Sequence, residues 1–209
     1  MKKLLYTPLI LFFLMSLNAG AQEFGGGLMA GIAATQVAGD SFSGFKKAGV
    51  YAGGFVNLQI SPRSIFQLEL EYFQKGAREN PTKKNDYQSY LFRANYIEIP
   101  LLYQFVFNER VKMEAGPSFG VLVGYYEERN EEVISDKYDY NTPSTMTLQI
   151  NVGIYVNITS QLAVNFRTNN SLLNIRTENV TGDVWRIWTY GQFHDSLVLS
   201  VFYNFKKKE

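Results

Sequence analysis

Residues 147–156 read Thr-Leu-Gln-Ile-Asn-Val-Gly-Ile-Tyr-Val, and every second side chain in this stretch is aliphatic. The aliphatic positions are Leu148, Ile150, Val152, Ile154 and Val156, and they alternate with Thr147, Gln149, Asn151, Gly153 and Tyr155. Because successive side chains of a β-strand point to opposite faces, this period of two predicts a strand with one apolar and one polar face.

The same period dominates the chain from residue 24 to residue 205, and no stretch shows a convincing helical period. Seven more strands are predicted, at 24–34, 49–60, 65–75, 90–107, 111–127, 162–167 and 197–205. Eight is an even number, and several strands reach the about 9–11 residues that cross a bilayer at a tilt. The sequence therefore predicts an all-β fold, an eight-stranded antiparallel up-and-down transmembrane β-barrel.

The predicted connections alternate strictly between short and long. Short connections fall at 61–64, 107–110 and 159–161, and long ones at 35–48, 76–89, 128–142 and 174–194. In an antiparallel barrel this order places every long loop at one end and both termini at the other. Outer-membrane barrels show this asymmetry, with short periplasmic turns and long extracellular loops.

The first 21 residues have the composition of a secretory signal peptide. Lys2 and Lys3 are followed by an apolar run at 4–17 and by small residues that end at Ala21. This order predicts cleavage after Ala21, with residues 1–21 as signal peptide and 22–209 as the barrel domain. No later apolar run is long enough for a transmembrane helix.

Composition excludes several kinds of chemistry. The 209 residues carry a net charge of +1, which gives no reason to expect a nucleic-acid partner. With no cysteine and a single histidine, the chain has no disulfides, thiolate metal sites or multi-histidine sites. We therefore predict no cofactor and no metal site.

Alternation alone does not say which face is outside, and a soluble lipocalin-type barrel would have the same pattern. The signal peptide favours a membrane barrel whose apolar face contacts outer-membrane lipid. A second reason is that aromatic residues gather near the predicted strand ends, as an interfacial girdle requires: Tyr103, Phe105, Phe107, Tyr203 and Phe205 at one end, and Tyr90, Tyr125, Tyr126 and Tyr190 at the other. A third is that the polar face mixes acids and bases that would pair in a narrow lumen: Glu69, Glu71, Glu98 and Glu114 with Arg93, Lys112 and Arg167.

Five segments together resemble the PorT-like outer-membrane β-barrel family of Bacteroidetes. They are FGGGLMAGI at 24–32, IFQLELEYFQKGA at 65–77, YIEIPLLYQF at 96–105, MEAGPSFGVLVG at 113–124 and SLVLSVFYNF at 196–205. The resemblance implies an eight-stranded barrel that resides in the bacterial outer membrane. Phe205 resembles the C-terminal signal read by the barrel-insertion machinery, which would be a partner during biogenesis. The chain departs from that signal by adding residues 206–209 after it.

Two sets of residues are candidates for catalysis. His194 and Ser196 share a strand face, and with a neighbouring glutamate they resemble the arrangement in outer-membrane lipid A deacylases. The contiguous His194-Asp195-Ser196 cannot converge as a triad, because neighbouring strand residues alternate faces. The glutamates Glu69, Glu71, Glu98 and Glu114 suit acid–base work or a cation path, but a structural lumen network is favoured. No catalytic residue is therefore assigned.

Two long loops carry distinctive residues. The acidic loop is expected to be solvated; it holds Glu127, Glu128, Glu131, Glu132, Asp136 and Asp139. Trp185, Trp188 and Tyr190 form either an exposed ligand patch or, as we favour, an extension of the last hairpin above the membrane. The sequence thus predicts a non-enzymatic outer-membrane protein with a structural or interaction role through its extracellular loops. An extracellular or envelope protein is the expected partner, and the expected role is that of an accessory to a secretion or envelope complex. The alternatives are a lipid-modifying enzyme using His194 and Ser196, and a small-solute channel.

Overall fold

The structure, a computed structural model, describes residues 23–40, 42, 44–135, 142–176 and 184–205. The predicted signal peptide, Asp136, Asp139 and residues 206–209 lie outside the described residues. The described strands, in chain order, are β1 (Glu23–Ala38), β2 (Lys47–Ser61), β3 (Ser64–Glu79), β4 (Tyr90–Val106), β5 (Val111–Arg129), β6 (Glu132–Val133), β7 (Met146–Asn157), β8 (Leu162–Ser171), β9 (Val184–Arg186), β10 (Thr189–Gly191) and β11 (Phe193–Asn204). A 3₁₀ turn at Lys83–Asn85 precedes β4, and none of the described helical residues forms a helix long and apolar enough to cross a membrane.

Eight of these strands form a closed antiparallel barrel in the order β1-β2-β3-β4-β5-β7-β8-β11. Closure is made by β1 and β11, which pair from Gly27 with Asn204 to Ala38 with Phe193. The predicted eight-stranded fold is confirmed. We call the end with the tight β2–β3, β4–β5 and β7–β8 connections the short-turn end, and the opposite end the long-loop end.

The strands extend further toward the long-loop end than the sequence predicts. β1 continues to Ala38 rather than residue 34, and β3 continues to Glu79 rather than residue 75. Beyond the apolar rows the outward positions become polar, as at Gln36 and Gln74, and the alternation disappears. Pairing continues there, because Gln36 pairs with Asp195 of β11 and Gln74 with Asn95 of β4. Backbone pairing does not need amphipathic alternation, so hydrophobic periodicity underestimates these strands.

The outer face of the barrel carries exposed apolar rows, as predicted. In β4 this row is Ile97, Ile99, Leu101, Tyr103 and Phe105, all solvent-accessible in the isolated chain. At about 3.4 Å per residue and a tilt of about 40°, the span from Ile97 to Phe105 is roughly 21 Å tall. Tyr103, Phe105, Phe107, Tyr203 and Phe205 are all outward-facing at the short-turn end, where the girdle was predicted.

An irregularity between β4 and β5 changes which face later residues occupy. Tyr96 pairs with Leu122 while the adjacent Asn95 pairs with Gly124, so one residue of β5 is inserted as a bulge. After this point the inward positions change parity, and Tyr125 packs against a buried interior cluster. The prediction that Tyr125 belongs to the outer aromatic girdle was wrong for this reason.

Apolar side chains fill the interior on both sides of its polar middle. The cluster toward the short-turn end contains Met29, Ala33, Tyr51, Phe55, Phe73, Tyr155, Ala163, Val198 and Phe202. The cluster toward the long-loop end contains Val37, Ala77, Tyr90, Phe92, Ala94, Tyr96 and Ile175. Tyr90, predicted as an outer girdle residue, is therefore an interior residue. It has the inward parity of Phe92, Ala94 and Tyr96.

Candidate functional site

The middle of the lumen is organised around one buried arginine. Arg167 of β8 makes a two-point contact with Glu69 of β3, with N–O distances of 2.7 and 2.8 Å. Its Nε donates to Glu114 of β5 at 2.8 Å, and a terminal nitrogen lies 2.9 Å from the Tyr51 hydroxyl. The Tyr51 hydroxyl in turn donates to Glu71 at 2.6 Å. The predicted structural network is thus present, and it ties together four strands.

A second buried ion pair lies closer to the long-loop end. Lys75 Nζ is 2.5 Å from Glu98 and donates to the Asn169 amide oxygen at 2.7 Å. The prediction that Arg93 faces the lumen was wrong. Arg93 and Glu98 are five residues apart, an odd spacing, so they point to opposite faces, and Arg93 is exposed on the outside. Lys112 faces the lumen as predicted, since its Nζ lies 4.6 Å from the centre of the ring of Tyr155, a buried inward-facing residue.

The long-loop end is closed by residues from two connections and β5. Arg176 follows β8, turns inward over the Phe92 ring and binds Glu127 at 2.6 Å. The Tyr90 hydroxyl also donates to Glu127 at 2.6 Å, so the expectation that this glutamate lies in a solvated loop was wrong. The bulge in β5 explains its inward position, which sequence alternation did not reveal.

The β1–β2 loop covers this closure. Phe42 stacks on Tyr90 with 4.7 Å between ring centres, and its N–H donates to Asp40 at 2.9 Å. Burial raises the pKa of Asp40 to about 6, although the hydrogen bond from Phe42 and the charge of Arg176 act in the opposite direction. The loop is therefore packed most favourably when this carboxyl is neutral.

His194 and Ser196 are both buried on the lumen side of β11, as their shared parity predicts. His194 lies between aromatic rings, with Nε2 3.3 Å from the Tyr96 hydroxyl and its ring stacked 6.0 Å from Phe92. Within the described residues, neither His194 Nδ1 nor Ser196 Oγ has a hydrogen-bond partner, so the two do not form a serine–histidine pair. Neither side chain faces the outer surface, where a lipid would approach.

The last long loop forms a small hairpin of its own. β9 and β10 pair with each other in a two-stranded sheet separate from the barrel, so the favoured extension of the barrel hairpin is not what forms here. A turn at Ile187 and Trp188 separates the strands and places Tyr190 directly opposite Trp185. Trp185, Trp188 and Tyr190 are all well exposed. Residues 177–183 of this loop lie outside the described part of the chain.

Two of the network residues could have been found from the sequence, and one could not. Lys75 has the same inward parity as Glu69 and Glu71, and Tyr51 has the inward parity of Phe55, so alternation alone places both in the lumen. Arg176 follows the end of β8, where no periodicity applies. Its position depends on Gly191, where the backbone adopts a φ of 142° and passes next to the backbone of Arg176. A Cβ at position 191 would lie 2.2 Å from the Arg176 carbonyl oxygen, so only glycine fits there.

The chain is similar to solved structures of outer-membrane proteins. Neisserial surface protein A is 12% identical over 89% of this chain and 100% of its own, with a TM-score of 0.56. Ail, the attachment invasion locus protein of Yersinia pestis, solved in complex with the heparin analogue sucrose octasulfate, is 11% identical over 88% of this chain and 99% of its own, with a TM-score of 0.49. At 12% identity the similarity to Neisserial surface protein A shows the fold alone. No curated protein matches the chain.

A family model described as outer membrane protein beta-barrel domain matches residues 20–176, which is most of the chain. The match covers β1 to β8 of the barrel and the inward-turning Arg176. Together with the closed eight-stranded architecture and its exposed apolar outer rows, it gives the protein its location in the outer membrane. The chain belongs to the outer membrane protein beta-barrel domain family.

Proposed function

We propose that the protein is a non-enzymatic component of the outer membrane that acts through its extracellular loops, as a structural or interaction accessory to a secretion or envelope complex. The observation that carries this proposal is the filled interior. Arg167, Lys75 and Arg176 each neutralise carboxylates in the lumen, and apolar clusters pack on both sides of the central network. A barrel filled in this way offers its loops, rather than its interior, for interactions.

The ion pairs argue against a solute channel. Arg167 links β8 to β3 and β5 across the barrel, so a solute would have to break several short charge-assisted hydrogen bonds to pass. An eight-stranded barrel has an interior that side chains just fill. Planar-bilayer recordings of the purified protein should therefore show no discrete conductance steps, and reproducible steps would overturn the proposal.

The position of His194 and Ser196 argues against a lipid-modifying enzyme. Both face the lumen, they are not hydrogen-bonded to each other, and the barrel wall separates them from lipid. Incubation of the purified protein with lipid A or phospholipid should give no product. Product formation that is lost in a Ser196→Ala variant would contradict the non-enzymatic assignment.

The long-loop end supplies the surface for a partner. Lys83, Lys84 and Tyr87 project from the β3–β4 connection, and Glu131 projects beside the β5–β6 turn. Outer-membrane barrels place such loops outside the cell. Because the chain has no cysteine, a Lys84→Cys variant carries a unique label site.

A membrane-impermeant maleimide should label Lys84→Cys on intact cells. The matched variant at the opposite end, Arg63→Cys, should be labelled only after the outer membrane is opened. With a cysteine-specific cross-linker, the Lys84 position should give a defined adduct with an envelope protein and the Arg63 position should not. The reverse labelling pattern, or equal adducts from both positions, would contradict the proposed use of the loops.

A further inference from the structure

The β9–β10 hairpin is attached to the barrel by Arg186. The guanidinium of Arg186 donates to both carboxylate oxygens of Asp195, at 2.9 and 3.1 Å, and to the Ser171 carbonyl at 2.9 Å. It also lies over the Phe193 ring, 4.7 Å from its centre, and Phe193 is fully buried. The hairpin is therefore docked on the ends of β8 and β11 through a defined set of contacts.

These contacts lie on the outside of the barrel. Phe193 and Asp195 alternate in β11 with His194 and Ser196, whose side chains face the lumen. Asp195 is also held from β8 by the outward-facing Asn170, whose amide donates to it at 2.7 Å. The hairpin thus covers the outer wall and does not cap the lumen.

The docking position is immediately above the apolar belt. In β11 the outward row runs from Tyr203 through Val201 and Leu199 to Leu197, and the next outward residue is Asp195. Gln36, the partner of Asp195 in β1, is the first polar outward residue of that strand after Ala34. In β8 the outward row becomes polar at Thr168, and Asn170, the other partner of Asp195, is the next outward residue. Arg186 therefore binds where the hydrocarbon-facing surface ends.

The opposite face of the hairpin presents its aromatic residues away from the barrel. Trp185 and Arg186 are consecutive in β9 and so point to opposite faces, and Tyr190 is the cross-strand partner of Trp185. Their exposed fractions are 66% for Trp185 and 60% for Tyr190, and Trp188 in the turn is 85% exposed. Tryptophan and tyrosine are enriched at membrane interfaces because each ring is apolar but carries a polar hydrogen-bonding group.

We propose that this hairpin is a membrane-interface anchor, with Trp185, Trp188 and Tyr190 inserted among the headgroups of the lipid next to β8 and β11. The lipid-facing rows of these strands end directly below the hairpin, so its aromatic face continues an existing lipid contact. Asp195 neutralises Arg186, which leaves the inner face of the hairpin without an unpaired cation. The proposal goes beyond the proposed function, since it removes this hairpin from the surface offered to a protein partner.

The chain is well suited to a direct test, because Trp185 and Trp188 are its only tryptophans. The purified full-length protein would be reconstituted at high dilution into phosphatidylcholine vesicles, and tryptophan emission recorded. Lipid brominated near the top of one acyl chain would serve as the membrane quencher and iodide as the aqueous quencher. We expect blue-shifted emission, strong quenching by the brominated lipid and weak quenching by iodide.

Two variants separate anchoring from simple exposure. Arg186→Gln removes the ion pair to Asp195 and should shift emission to the red, reduce quenching by brominated lipid and increase quenching by iodide. Arg78→Gln, at an exposed arginine of the same barrel end, should leave all three signals unchanged. Far-UV circular dichroism would verify that both variants retain the barrel.

Three results would overturn the proposal. Emission typical of hydrated indole with full iodide quenching in the wild type would place the hairpin in water. Shielding that disappears as the protein is diluted in the vesicles would assign the surface to a second copy of the chain. Wild-type signals that persist in Arg186→Gln would show that docking through Asp195 does not position the hairpin. None of these results depends on conductance or on a partner, so the proposed function is tested separately.

Discussion

Replacing Arg167 with methionine removes the charge at the centre of the lumen while keeping most of the side-chain volume. Arg167 is buried and contacts residues of β2, β3 and β5. In the Arg167→Met variant, Glu69 and Glu114 stay buried without the cation that binds them. We expect the variant to insert and fold with a substantially lower free energy of unfolding.

The size of the effect can be worked out from the contacts. The guanidinium makes two hydrogen bonds to Glu69, one to Glu114 and one to the Tyr51 hydroxyl, all between 2.7 and 2.9 Å. Removing one partner of a buried ion pair costs about 3–5 kcal/mol, because the remaining charge is left uncompensated. Protonation of one glutamate would limit the loss, so we expect a value within that range rather than a sum over four bonds.

The measurement is equilibrium unfolding in guanidinium chloride, in detergent micelles, followed by far-UV circular dichroism. The matched control is Arg63→Met at the exposed β2–β3 turn, which should change the free energy of unfolding by less than about 0.5 kcal/mol. Adding Glu69→Gln and Glu114→Gln to Arg167→Met should recover part of the loss, because the buried site is then uncharged. A loss below about 1 kcal/mol for Arg167→Met, or a larger loss in the triple variant, would refute the reasoning.

Three further outcomes are expected. Val152→Arg, in the middle of the outward row of β7, should reduce the free energy of unfolding in lipid by about 2–4 kcal/mol. Ile158→Arg, in the β7–β8 turn, should reduce it by at most about 1 kcal/mol. Equal reductions would contradict the position of the apolar belt. Gly191→Ala should displace Arg176 and increase protease cleavage near the long-loop end while the barrel stays folded, and an unchanged cleavage pattern would contradict the role of the close approach. The pKa of Asp40 is raised from 3.8 to about 6, so the neutral carboxyl is the form that stabilises the β1–β2 loop. This stabilisation is fully present below pH 3.8 and is lost as the pH rises through about 6. Amide exchange at Phe42, corrected for intrinsic rates, should show this loss, and Asp40→Asn should abolish it.

Strand number, topology and the outward rows could be predicted from the sequence because each depends on a local period of two. The stretch from Leu148 to Val156 has its aliphatic residues outside and Gln149, Asn151 and Tyr155 inside, as its alternation requires. The strand ends could not be predicted equally well, because the outward residues at Gln36 and Gln74 are polar although the backbone pairing continues through them. Periodicity reports where a face is buried in lipid or lumen, not where hydrogen bonding stops.

The errors at the candidate site have different causes. Arg93 and Glu98 are an odd number of residues apart in β4, so the alternation itself places them on opposite faces, and the position of Arg93 is contained in the sequence. Glu127 was misplaced because a one-residue bulge in β5 reverses the parity after Leu122, and nothing in the local sequence marks it. The docking of the hairpin on the barrel wall depends on Arg186 and Asp195 meeting across a loop, and alternation carries no information about such long-range contacts.

The pairing of Arg167 with Glu69 joins residues 98 positions apart, and this spacing constrains how the protein can assemble. Glu69 of β3 and Glu114 of β5 are synthesised before Arg167 of β8, the cation that binds them both. A partly formed sheet that ended before β8 would present those acids without their counterion, and its lumen-facing side would favour water over lipid. The barrel is therefore expected to enter the bilayer as one cooperative unit, with the seventh strand of the cylinder supplying the charge that makes closure favourable.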